Sequence, residues 1–121
     1  MLTPKEIAEL AVKTLDKKLG HDIKLLRTTD VTVLADYFVI CTAGSTPQIQ
    51  RLADEVEAAL EAAGEPVGHR EGYRAGGWVL LDFACVVVHI FMEETRQFFN
   101  LERLWADAEE IDISTIVTPE N

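Results

Sequence analysis

Positive charge is in short supply in this sequence. Eleven Lys and Arg stand against 21 Asp and Glu, a formal net charge of −10. From Glu93 onward two bases, Arg96 and Arg103, face eight acids. A chain that neutralises nucleic-acid phosphates needs the opposite balance, so direct nucleic-acid binding is disfavoured. A basic protein surface is the easier partner. Most of these carboxylates need no partner at all, because acidity alone keeps a domain soluble.

Cysteine is scarce as well. Cys41 and Cys85 each lie in an apolar, strand-like run. Two such residues fit buried, reduced thiols and a cytoplasmic protein better than a disulfide framework. His21, His69 and His89 are scattered, and no paired ligand spacing points to a metal. No apolar run reaches the length of a membrane span, and no basic-then-apolar signal pattern opens the sequence. Internal repeats and linkers are also missing. At 121 residues the expectation is one domain, read here as residues 1–110 with a tail over 111–121. A chain of this size buries roughly two-thirds of its unfolded surface, enough for a core without staples.

What is present is a clear alternation of elements. Thr3-Pro4-Lys5-Glu6 reads as a capping box with proline at the first helical position. Ile7, Leu10, Ala11, Leu15 and Leu19 recur at helical spacing, and Gly20 stands as the stop. Residues 22–27 alternate as a short strand. Asp36 to Thr42 is a continuous run of β-formers, the pattern of a strand covered on both faces. The next turn opens a second helix, capped by Ser45 with Gln48 or by Thr46 with Pro47. Ile49, Leu52, Ala53, Val56, Leu60 and Ala63 form its stripe, and Gly64 ends it. Pro66 to Arg70 is a weak strand pattern, and Glu71 to Gly77 a glycine-rich loop. Trp78 to Phe83 and Cys85 to Phe91 read as two strands of a hairpin, although the turn lacks Asn-Gly or Asp-Gly. A helical turn over Glu93 to Phe98 follows. A second starts at Asn100, with Leu101, Leu104, Trp105 and Ala108 on one face. Ile111 to Val117 reads as loop or a minor edge strand. The sum is an α/β (α+β) domain: a mixed sheet of about five strands under two main helices.

Two sets of residues invite an enzyme reading. Gly44-Ser45 follows a buried strand and precedes a helix, where a phosphate or nucleotide could sit. A nucleotidyltransferase would also need two carboxylates on a neighbouring strand, and Asp82 stands alone. A turn glycine followed by a helix cap explains both residues more simply. Cys85 and His89, four apart on a strand, are separated by more than ~10 Å, too far for a nucleophile and its base. The binding reading rests on aromatics among charges. Trp78 opens a strand after the glycine loop, and Phe98 and Phe99 point in different directions. An exposed aromatic beside Arg96 and Glu102 is the material of a protein-binding hot spot.

The blocks Ala35-Asp36-Tyr37-Phe38-Val39-Ile40-Cys41-Thr42, Trp78-Val79-Leu80-Leu81-Asp82 and Val86-Val87-Val88-His89-Ile90-Phe91, with Arg96 and Phe98 to Trp105, resemble the Iojap family. Its bacterial members are ribosomal silencing factors. The resemblance runs from the first helix to about Asp107. It implies a nucleotidyltransferase-like domain without the catalytic carboxylates, no enzyme activity and no cofactor. It also implies binding to ribosomal protein L-fourteen of the large subunit, blocking of subunit joining and repression of translation in nutrient limitation. A homodimer is compatible with it. Carried over residue by residue, the partner-binding set is Trp78, Asp82, Arg96, Phe99, Leu101 and Glu102. Trp78, Phe99 and Leu101 would be apolar anchors. Asp82 and Glu102 would face basic groups, and Arg96 would orient the segment or pair with an acid. This chain has Ala84-Cys85 where the family usually has Gly-Asp, and Phe99 where it usually has Tyr.

Overall fold

Thr3 opens the first helix, α1 (Pro4–Lys17). Its hydroxyl accepts the Glu6 N–H at 3.1 Å while the Glu6 carboxylate accepts the Thr3 N–H at 2.9 Å. Both ends of the expected capping box are therefore made. The helix stops one residue earlier than its glycine suggests. Leu19 takes the left-handed turn (φ 70°), and the N–H of Gly20 closes on the Leu15 carbonyl at 2.8 Å. Gly20 is needed for space instead, since a Cβ there would lie 2.5 Å from Cys41 Sγ.

The structure, a computed structural model, describes residues 2–74 and 77–117. After α1 come β1 (His21–Arg27), β2 (Tyr37–Ala43), α2 (Thr46–Ala62), β3 (His69–Glu71), β4 (Trp78–Asp82), β5 (Val86–Met92), α3 (Glu93–Phe99), α4 (Leu101–Leu104) and β6 (Glu109–Ile111). Ser45 is the cap of α2, accepting the Gln48 N–H at 3.2 Å, and Gly64 (φ 91°) ends it in the left-handed turn. The sheet has six strands rather than about five, in the order β3-β4-β5-β2-β1-β6. The added strand, β6, begins two residues before the stretch read as a minor edge. It pairs with β1 through Leu25↔Ile111 to Arg27↔Glu109. Beyond it, Ile113, Ile116 and Val117 pack against the larger core cluster. Ala75 and Gly76 of the glycine loop and residues 118–121 of the tail lie outside the described residues.

β2 and β5 run parallel at the centre, Tyr37↔Val86 through Ala43↔Met92, and every other pairing is antiparallel. Strand alternation then gives the sheet two faces. Leu25, Val39, Cys41, Val79, Leu81, Val88 and Ile90 point to one face and pack with Ile7, Leu15, Leu52 and Leu60 of α1 and α2. Leu26, Phe38, Ile40 and Phe91 point to the other, where Leu101 and Trp105 cover them in part. The first face is an aliphatic core closed by two long helices. The second is aromatic, and two short helices leave part of it open.

Candidate functional site

The β4–β5 register decides what the second face contains. Trp78 lies directly opposite Phe91, and Leu80 opposite His89. The indole stacks on Phe91 (centroids 5.0 Å, 27°) and meets Phe99 at 4.8 Å. Its Nε1–H donates to His89 Nδ1 at 3.1 Å. His89 meets Phe38 edge-on at 5.1 Å, and Phe38 meets Trp105 at 5.4 Å. The aromatic rings thus run without a break from β4 across β5 and β2 to the chain after α4. Trp78 is half-buried, Phe99 is 47% exposed, and Phe98, in edge contact with Phe99, is 81% exposed. Such an aromatic surface has the composition of a protein-binding hot spot.

Two of the charged candidates hold this surface in place. Arg96 is buried; its Nη1 donates to the Asp22 carbonyl and to Thr42 Oγ1, both at 2.6 Å. Its Nε donates to Glu102 Oε1 at 2.9 Å, and the other Glu102 oxygen pairs with Lys24 Nζ at 3.0 Å. Burial alone would raise the Glu102 pKa, but the hydrogen bonds from Arg96 and Lys24 outweigh it and hold the carboxyl below its ordinary value. Asn100 sits between α3 and α4 in the left-handed region (φ 47°), closing one helix and capping the next. The ion pair bridges that corner, with Phe99 on one side and Leu101 on the other.

The structure therefore brings together Trp78, Phe99, Leu101, Arg96 and Glu102. Asp82 is apart from them. It ends β4, roughly 13 Å of strand from Trp78. Its Oδ1 accepts the Ala84 N–H at 2.7 Å, which closes the turn to β5. Ala84 itself has φ 71°, a conformation natural to glycine. Cys85 belongs to this turn rather than to the strand, and its carbonyl accepts the Asp36 N–H at 2.7 Å, tying the start of β2 to the hairpin.

Sequence reasoning missed His89 and Phe91 as the base of the surface and set Phe98 aside. The signal was the alternation of Val87, His89 and Phe91 on β5, which only the pairing with Trp78 turns into a site. Burial pushes the His89 pKa down to about 4, so the ring is neutral near pH 7. Since Nδ1 accepts from Trp78, its proton is on Nε2, which is buried and has no hydrogen-bond partner among the described residues. The Leu104 side chain lies outside the described ones. At the other expected position, the Gly44 N–H donates to Gln48 Oε1 at 2.6 Å and Ser45 Oγ accepts the Gln48 N–H. Helix capping accounts for both groups.

Residues 2–121 match the family described as "Ribosomal silencing factor during starvation". A ribosomal silencing factor of Bacillus subtilis is 37% identical over 112 residues, 93% of this chain and 95% of that protein. One of Halalkalibacterium halodurans is 32% identical over 117 residues, covering 97% of this chain and all of its own length. The crystal structure of a Chromobacterium violaceum protein superposes with a TM-score of 0.85 at 34% identity, covering 87% of this chain and 88% of that one.

Proposed function

This chain belongs to the ribosomal silencing factor family, and from that premise we propose that it represses translation by occupying the large ribosomal subunit. The contact is with ribosomal protein L-fourteen. Bound there, the domain stands where the small subunit must join, so translation falls when nutrients are scarce. It acts by occupancy, without catalysis or cofactor. The observation that carries this reading is the open aromatic surface around Trp78 and Phe99, built on the sheet face that the long helices leave free. Trp78, Phe99 and Leu101 are the anchors in this reading. Arg96 and Glu102 fix the corner that presents them, and Asp82 holds the hairpin at the far end. The net charge of −10 suits a basic partner.

The test is co-sedimentation with isolated large subunits, followed by addition of small subunits. Wild type is expected to travel with the large subunit and to reduce formation of the joined ribosome. Replacing a central aromatic anchor typically removes about 2 kcal/mol or more, roughly thirtyfold in affinity. Trp78→Ala and Phe99→Ala should each show that loss. A folded double variant that binds as wild type does would overturn this placement of the interface.

A further inference from the structure

We propose that His89 is a positioning residue for the docking surface: by holding the indole N–H of Trp78 inward, it fixes which edge of that ring meets the partner. The proposal rests on the docking role given to Trp78 above.

Packing does not explain a histidine here. Position 89 is 5% exposed and lies between Val88 and Ile90 on a central strand. Its Nε2–H has no acceptor among the described residues. A buried, unpaired N–H is unfavourable, and an apolar side chain of similar size would fill the same space without it. What the imidazole supplies is Nδ1, the acceptor for Trp78 at 3.1 Å. The ring cannot easily turn away, because Phe38 meets it edge-on (70°) and Phe91 lies nearly parallel to it (9°).

The consequence is at the surface. Indole has one polar group, and a half-buried tryptophan normally aims it at water or at a fixed acceptor. With Nε1–H tied to His89, the ring is locked between Phe91 and Phe99 and offers its partner carbon edges only. Without that acceptor the N–H would turn toward solvent, and the ring would lose its place in the stack. Trp78 therefore makes an apolar contact, and His89 determines that it does.

Three substitutions separate this role from simple packing. His89→Leu removes the acceptor. His89→Asn keeps one near the place of Nδ1, and His89→Gln moves it toward the place of Nε2. In ¹⁵N spectra the Trp78 indole N–H, assigned against Trp105→Phe, should exchange slowly in wild type and His89→Asn, and rapidly in His89→Leu and His89→Gln. This arm needs no ribosome, so it reads the positioning even if wild type fails to bind large subunits, an outcome that would count against the docking reading alone. Large-subunit affinity should fall about tenfold in His89→Leu, a typical loss for a displaced anchor, and stay within about threefold of wild type in His89→Asn. Thermal stability of His89→Leu should not fall with its affinity, which a merely structural histidine would require. Wild-type affinity in His89→Leu overturns the proposal. If that variant does not fold, equal affinity of His89→Asn and His89→Gln overturns it instead.

Discussion

Ala84 and His89 are each held in a state their residue type disfavours, and each gives a measurable consequence. Ala84 has φ 71° in the turn between β4 and β5. The left-handed region costs an L-residue about 1–2 kcal/mol. A glycine avoids that but loses about 0.5–1 kcal/mol through its freer unfolded chain. The difference favours glycine, so Ala84→Gly should stabilise the domain by about 0.5–1 kcal/mol in urea unfolding. An unchanged or lower midpoint would show that the turn is not strained. His89 works through protons. Its folded pKa is lowered from 6.5 to about 4 by burial. Between those values the unfolded chain binds the proton and the folded chain does not. The neutral ring's contribution is thus complete above pH 6.5 and is lost as pH falls toward 4. The loss approaches about 3 kcal/mol at 1.36 kcal/mol per pKa unit. Wild type and His89→Leu, unfolded in parallel from pH 7 to 4, should diverge by that amount; parallel curves would mean the imidazole ionises freely in the fold. The turn glycine missing at Ala84 was visible in the sequence as a weak hairpin signal. The burial of His89 was partly visible from its apolar neighbours, but its hydrogen bond to Trp78 was not, because strand register is not written in either strand alone.

Element boundaries follow local chemistry, and that is why the long helices were legible. Thr3, Ser45 and Gly64 act within a few residues of the ends they define. Gly20 does close the end of α1, but the reason it must be glycine is distant: the thiol of Cys41 on β2 occupies the space a side chain would need. The α3–α4 corner shows the same limit more strongly. Its short helices can be read from spacing, but what holds them cannot. Arg96 reaches the carbonyl of Asp22 and the hydroxyl of Thr42, 74 and 54 residues away in sequence. Removing one partner of a buried ion pair commonly costs 3–5 kcal/mol. Glu102 keeps Lys24 and retains some solvent contact, so Arg96→Ala should destabilise by about 2–3 kcal/mol, within the range for a broken buried network. Glu102→Gln, which still accepts a hydrogen bond, should cost less than half of that. Both variants should also weaken large-subunit binding, since Phe99 and Leu101 flank the corner, whereas Phe99→Ala should weaken binding with little change in stability. Equal stability of Arg96→Ala and wild type in denaturant unfolding would remove the ion pair from the account of how the surface is held.

At the scale of the whole molecule, one property follows from periodicity, one from composition and one from topology. The fold class and its two covering helices could be read from periodicity, and the acidic balance from counting. The division into an aliphatic face and an aromatic face could not, because it depends on β5 lying parallel to β2 and antiparallel to β4 at once. That division separates the two forces available for docking. In the proposed docking, the aromatic surface would supply short-range affinity, and the net charge of −10 would supply long-range attraction to a basic partner. Long-range attraction between exposed charges is screened over about 10 Å at 0.1 M salt, whereas apolar contact is not. Raising salt from 50 to 200 mM should therefore slow association with large subunits and leave dissociation nearly unchanged, for a total loss of about tenfold or less. A protein held by six to ten phosphate contacts would lose about 10³–10⁵ over the same interval. Association and dissociation rates measured at the two salt concentrations decide between these. A thousandfold loss would mean that the chain holds ribosomal RNA directly despite its acidity, and the aromatic surface would then have to be reassigned.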